Sequence, residues 1–292
     1  MADIKAFSGL WGKHFYKKTG GYQGFFSKGI TQEKMQSACR NVVYITLVTK
    51  GYFMIKAENL SMIYGKDFKA VDGLSFDIKP GEIVGFAGPN GAGKTTAIKM
   101  LTGILRPAGG RALINGYDIV KEPIKAKESF AYVADNPDIL LQLSGIEYIN
   151  YIANLYKVPL DKREARIKEM AERFDISDSL GRPMREYSHG MRQKTMVIAA
   201  LIHNPPAWIL DEPMTGLDPT AAFVLKQMMK EHAAKNNAVL FSTHVLEVAE
   251  KLCDRIVIIN HGKSLYQGTV EDLKKEKPGR DLEEIFMEMV GK

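Results

Sequence analysis

From residue 54 onward, short apolar runs bounded by turn residues alternate with segments whose apolar positions recur every three or four residues. That alternation is the mark of an α/β core. The runs "IKAENL", "LSFDI", "IVGFAG", "FAYVA", "AWILDE", "AVLFST" and "RIVIIN" are predicted strands. Between "FAYVA" and "AWILDE" the pattern changes, because "GIEYINYIANLY" and "DKREARIKEMAERF" have the spacing of amphipathic helices. They predict a helical subdomain, about 138–187, set into the α/β core. "DLEEIFMEMV" predicts a last short helix that packs against the body. Residues 1–53 are weakly periodic and rich in Gly, Lys and aromatics. They are expected to form a poorly ordered basic N-terminal extension ahead of a domain over 54–292, with Met54 a natural start in its own right. A basic, acid-poor targeting peptide is the rival reading.

Charge sharpens this division. The chain of 292 residues carries 40 Lys+Arg against 34 Asp+Glu, and residues 1–53, with 8 basic and 2 acidic residues, hold the whole excess. The folded body is therefore expected to be neutral, which argues against nucleic acid as its partner. Cys39 and Cys253 lie far apart without metal-type spacing, which fits free thiols in a reducing compartment. The longest charge-free run, Thr195 to Leu210, is shorter than a membrane span and contains Pro205 and Pro206. The chain is expected not to cross a membrane.

The chemistry begins at "GFAGPNGAGKTT". Gly88-Pro89-Asn90-Gly91-Ala92-Gly93-Lys94-Thr95, followed by Thr96, is a full G-x-x-x-x-G-K-[ST] between a predicted strand and a predicted helix. Its glycines let backbone N–H groups turn inward around phosphates. Lys94 can reach the β and γ oxygens, and the Thr95 hydroxyl can ligate magnesium at a positive helix N-terminus. "AWILDEP" puts Asp211 and Glu212 at the end of a later buried strand. There Asp211 can hold magnesium, and Glu212 can orient or deprotonate water. Asp218 and Pro219 suit the cap and first turn of the next helix, and capping alone could explain the pair. His244 ends the strand "AVLFST", at the carboxyl edge of the same parallel sheet, where ligands bind. Contact with a γ-phosphate is expected there. Ser188 is placed to cap the apolar helix "MRQKTMVIAALI", which stops at Asn204-Pro205-Pro206.

This ordered set resembles the ATP-binding cassette (ABC) family over residues 55–290. "GPNGAGKT" matches its Walker A motif, "YSHGMRQ" its signature, "WILDEP" Walker B, "TGLD" the D-loop and "STH" the H-loop. The resemblance implies a P-loop NTPase fold: a parallel-sheet core, an antiparallel β edge and the inserted α-helical subdomain. It also implies that Tyr64 stacks on adenine, that ATP and Mg2+ are the cofactors, and that Ser188, Gly190 and Asp218 belong to the nucleotide site. Two such cassettes pair head to tail, each P-loop facing the other's signature. The implied partners are a second ABC ATPase subunit, as homo- or heterodimer, and a multi-span membrane permease at the cytoplasmic face of the cell membrane. The compact length and the C-terminal "LEEIFMEMV" resemble the exporter (ABC-2 type) branch.

Two departures from the family pattern stand out. Asp135, in "FAYVADNPDIL", occupies the place where the family carries a glutamine beside magnesium, and its shorter carboxylate is expected to act through water. Ser188-His189-Gly190-Met191 replaces Ser-Gly-Gly-Gln. Met191 cannot close a capping box, although the helix N-terminus still offers unpaired N–H groups to an anion. Two other readings stay open: a soluble ABC ATPase working on DNA or ribosomes, and an ATP-binding module without turnover. The former relatives carry long coiled-coil inserts or two cassettes per chain. Retention of Lys94, Asp211, Glu212 and His244 argues against the latter.

Overall fold

The structure, a computed structural model, describes residues 53–291. Cys39 and, except for Phe53, the expected N-terminal extension lie outside them. Two sheets organise the described chain. β1 (Ile55–Tyr64), β2 (Phe68–Ile78), β4 (Gly109–Ile114) and β5 (Tyr117–Asp118) form an antiparallel sheet in the order β2-β1-β4-β5. β3 (Ile83–Ala87), β6 (Phe130–Val133), β7 (Ala207–Leu210), β8 (Ala238–Thr243) and β9 (Arg255–Asn260) run parallel in the order β9-β3-β8-β7-β6. β10 (Lys263–Gly268) closes the β9 edge antiparallel.

The burial of each strand explains its composition. Every residue of β3, β7 and β8 is buried, as expected for central parallel strands covered on both faces. Trp208 and Phe241 are wholly buried there, and each side chain of this size contributes on the order of 2–3 kcal/mol by leaving water. β1 instead alternates, burying Ile55, Ala57, Leu60 and Met62, so only one of its faces meets the core. Cys253 forms no disulfide among the described residues, and burial pushes its thiol pKa up.

Between β6 and β7 lie the two long helices the periodicity predicts. α3 (Gly145–Leu155) starts in a capping box: Glu147 N donates to Ser144 Oγ at 3.3 Å, and Ser144 N donates to Glu147 Oε2 at 2.8 Å. Its apolar stripe buries Tyr148, Ile149 and Ala153 in the same cluster as Met196, Ile198 and Trp208. α4 (Leu160–Arg173) is clamped to it by the buried Arg163, which donates to Asn150 Oδ1 at 3.1 Å and Asn154 Oδ1 at 2.9 Å. α5 (His189–Leu201) follows Ser188 and leads into β7.

Of the remaining helices, α1 (Lys94–Leu101) and α2 (Pro123–Glu128) lie against strands of the antiparallel sheet, and α6 (Pro219–Ala234) and α7 (Leu246–Leu252) lie against β3 and β8 of the parallel one. α8 (Val270–Glu276) and α9 (Leu282–Val290) follow β10 and pack on each other. Through Leu282, Ile285 and Phe286, α9 joins a cluster with Ala87, Ile256 and Ile258 of the sheet. No helix among the described residues is long and apolar enough to cross a membrane.

Candidate active site

The parallel register sets three loops side by side. Ala87 pairs with Thr243 and Leu210 with Phe241, so the segments leaving β3, β7 and β8 emerge together at their carboxyl ends. Those segments are the Gly88–Thr95 loop, Asp211-Glu212 and His244.

Steric limits shape the loop. A Cβ at Gly88 would stand 2.5 Å from the Ile259 carbonyl oxygen, and one at Gly93, where φ is +105°, would stand 2.4 Å from that of Ala70. Only glycine fits either place. Gly262 N donates to Ala92 O at 2.9 Å, and Asp72 N donates to Gly262 O at 3.0 Å, which ties the loop to the β9–β10 turn and to β2. Lys94, 6% exposed, donates to Gly88 O at 2.7 Å and Pro89 O at 3.3 Å, with Glu212 Oε1 at 3.4 Å. Its ammonium thus lies inside the curve of the loop, where it can meet phosphate oxygens.

Ser242 is the hinge of the acidic pair. Its buried hydroxyl donates to Asp211 Oδ1 at 2.6 Å and accepts from Glu212 N at 2.8 Å. Glu212 takes a left-handed φ of +44°, a costly conformation that surrounding bonds must hold. Its Oε2 lies 2.9 Å from His244 Nδ1, so the half-exposed imidazole and Lys94 grip opposite oxygens of one carboxylate. Burial pushes the Asp211 pKa up, opposed by the Ser242 and Thr95 hydroxyls and assisted by the negative charge of Asp135 and Glu212. Asp211 is fully buried and its Oδ2 has no hydrogen-bond partner among the described residues. A buried carboxylate oxygen without a donor, beside a threonine hydroxyl, fits a hard divalent cation. Thr95 and Asp211 are therefore suited to Mg2+.

A cleft of about 300 Å3 brings together Tyr64, residues 89–96, Asp135 and Glu212. Tyr64 and Phe68 are cross-strand partners at the end of the β1–β2 hairpin and present two aromatic rings to this cleft. Phe68, Ala70 and Ser242 escaped sequence reasoning. For Phe68 the available signal was its position four residues after Tyr64 across a Gly-containing turn.

Ser188, Gly190 and Asp218 do not line that cleft. They form a second cluster. Ser188 Oγ accepts from Met191 N at 3.2 Å and caps α5, and Asp218 Oδ1 accepts from Ala221 N at 2.8 Å and caps α6. Lys194 of α5 pairs with Asp218 at 3.1 Å. A Cβ at Gly190 would come within 2.8 Å of Gly216 O, so glycine is what lets the start of α5 pack on the 213–218 segment. The first turn of α5 offers backbone N–H groups and a positive dipole to an anion.

Known proteins resemble this chain in sequence and fold. The family model for ABC transporters matches residues 71–215. The chain is 35% identical to the ABC transporter ATP-binding protein NatA of Bacillus subtilis (strain 168), over 76% of this chain and 91% of that protein. It is 34% identical to the daunorubicin resistance ATP-binding protein DrrA3 of Streptomyces coeruleorubidus, over 77% of this chain and 71% of that one. A solved structure of the ATP-binding subunit of an ABC transporter superposes with a TM-score of 0.77 at 33% identity, covering 81% of this chain and 99% of that chain. With 35% identity over 91% of one such relative and the same fold as a solved one, the chain belongs to the ATP-binding cassette family of ATPases, as an ABC transporter ATP-binding protein.

Proposed function

We propose that this chain is one half of a pair of cassettes that close head to tail over ATP and power export through separate membrane subunits. The observation that carries the pairing is the division of the site. The cleft holds groups for the base, the phosphates and the attacking water, whereas Ser188 and Gly190 sit in a separate cluster of the same chain. A second copy, or a related cassette, would supply them. The first turn of its α5 then closes the open side of the cleft with N–H groups and the Ser188 hydroxyl.

Within one cleft each group has a task. Tyr64 stacks on adenine, the N–H groups of residues 89–96 bind the β- and γ-phosphates, and Lys94 neutralises their charge. Thr95 and Asp211 hold Mg2+, with Asp135 acting through water. The cation supplies charge neutralisation on the phosphate oxygens. Glu212 orients water for in-line attack and accepts its proton, and His244 keeps that carboxylate in place and contacts the γ-phosphate. Asp218 fixes the start of α6 beside the signature.

Export is supported by the similarity to DrrA3, whose name describes drug resistance, and by the ABC-2 features of the sequence. The segment 136–149 is the part that couples the cleft to a permease at the cytoplasmic face of the membrane. Phosphate release by the purified chain with Mg2+ and ATP tests the chemistry. Glu212→Gln is expected to lower turnover at least 100-fold while retaining ATP. A wild-type chain that binds ATP and releases no phosphate would make it a binding module. If Asp135→Ala changes neither turnover nor transport, its metal role is wrong.

A further inference from the structure

Arg192 joins the loop that leaves a cassette's cleft to the approach to its own signature. Arg192, in the second turn of α5, is 18% exposed and makes three different contacts. Its Nε donates to Met184 O at 3.0 Å and one terminal nitrogen to Arg185 O at 3.2 Å, both in the short turn just before Ser188. The other terminal nitrogen donates to Asp138 Oδ1 at 2.7 Å. Asp138 stands three residues beyond Asp135, and its N–H donates to Asn136 Oδ1 at 2.9 Å, which folds the short stretch between them into a turn. One side chain thus holds both the approach to the signature and the loop that leaves the cleft.

Fold maintenance alone does not require the ion pair. The same two stretches are already joined further along: Met184 N donates to Leu143 O at 2.8 Å, Arg185 N to Leu141 O at 2.9 Å, and Arg185 to Gln142 Oε1 at 3.1 Å. Removing the Asp138 carboxylate leaves those bonds in place. What the pair adds is a fixed relation between Asp135 and the N–H groups at Ser188–Gly190.

We propose that Asp138 and Arg192 are positioning residues that hold the signature end of α5 in register with the Asp135 loop, so that one cassette's own bound nucleotide sets the half-site it offers to its partner. This rests on the head-to-tail reading above. The pair lies on one chain, so its loss is felt by the other chain's ATP.

The test uses the full chain carrying Glu212→Gln, with Mg2+ and ATP. Sedimentation measures the dimer dissociation constant, and ATP affinity is measured separately at chain concentrations below dimerisation. Asp138→Ala is expected to weaken the ATP-dependent dimer about threefold to fivefold, within the range of a partly exposed charge pair. Arg192→Lys keeps the charge but loses the fork and is expected to do the same. The double variant is expected to lose less than the sum of the two singles, because they share the one contact between Arg192 and Asp138. Asp138→Glu restores the wild-type constant, while monomer ATP affinity and melting temperature stay unchanged. Unchanged dimer constants, additive losses, or losses that follow a falling melting temperature would overturn the latch. A parent chain that stays monomeric with ATP would refute the head-to-tail reading itself.

Discussion

Replacing Ser242 by alanine isolates the contact that shapes the acidic pair. The hydroxyl is wholly buried, donates to Asp211 and accepts from the Glu212 N–H. Its removal strands one donor and one acceptor where water is scarce, at about 1–3 kcal/mol each. A loss of about 2–6 kcal/mol is therefore expected. For a chain this size that lowers the melting temperature by roughly 4–24 °C. Turnover should fall further than stability alone explains. The Glu212 N–H bond helps hold a left-handed backbone, and a displaced base loses on the order of 100-fold through misalignment. Thermal unfolding and phosphate release on the same preparation, at a temperature where the variant is folded, measure both. A Ser242→Ala chain that melts within 2 °C of wild type and keeps its turnover would refute the role given to this hydroxyl.

Two further outcomes follow from burial and from the cleft. His232 and His203 are held neutral, their pKa values lowered to about 4, chiefly by burial. Below the unfolded value near 6.5 the unfolded chain takes up protons that the native chain refuses, so stability falls as pH drops from about 6.5 toward 4. About 2 kcal/mol per histidine should be lost between pH 7 and 5, and His232→Leu should halve that slope in denaturant titrations. In nucleotide binding, Tyr64→Ala and Phe68→Ala should each weaken ATP by about threefold to tenfold, the worth of one aromatic contact, without changing turnover at saturation. A loss seen only with Tyr64 would remove Phe68 from the base site.

Much of this architecture is written in local pattern. β3, β7 and β8 are apolar runs that end in chemistry, and a parallel sheet brings such ends together. Ser188 and Asp218 cap helices because short oxygen-bearing side chains before apolar periodic segments have few other uses. β4, β5 and β10 were harder to see. β4 opens on Gly109-Gly110, β5 has two residues, and β10 is half-exposed and polar. Their turns carried the missing signal: Asn115-Gly116 and His261-Gly262 both have positive φ and join strands through two-residue loops. Ser242, Phe68 and the Asp138–Arg192 pair depend on contacts between distant segments, which no window along the chain contains. The division of the site into two clusters likewise emerges only when α5 is placed apart from the cleft.

The claim that a second cassette completes each site is tested most directly by ATP turnover per chain as a function of chain concentration. The account predicts that turnover rises in proportion to concentration when dimers are scarce and levels off once they form, with Gly190→Asp abolishing it at every concentration. Turnover per chain that is constant from the most dilute sample upward, and indifferent to Gly190, would contradict it.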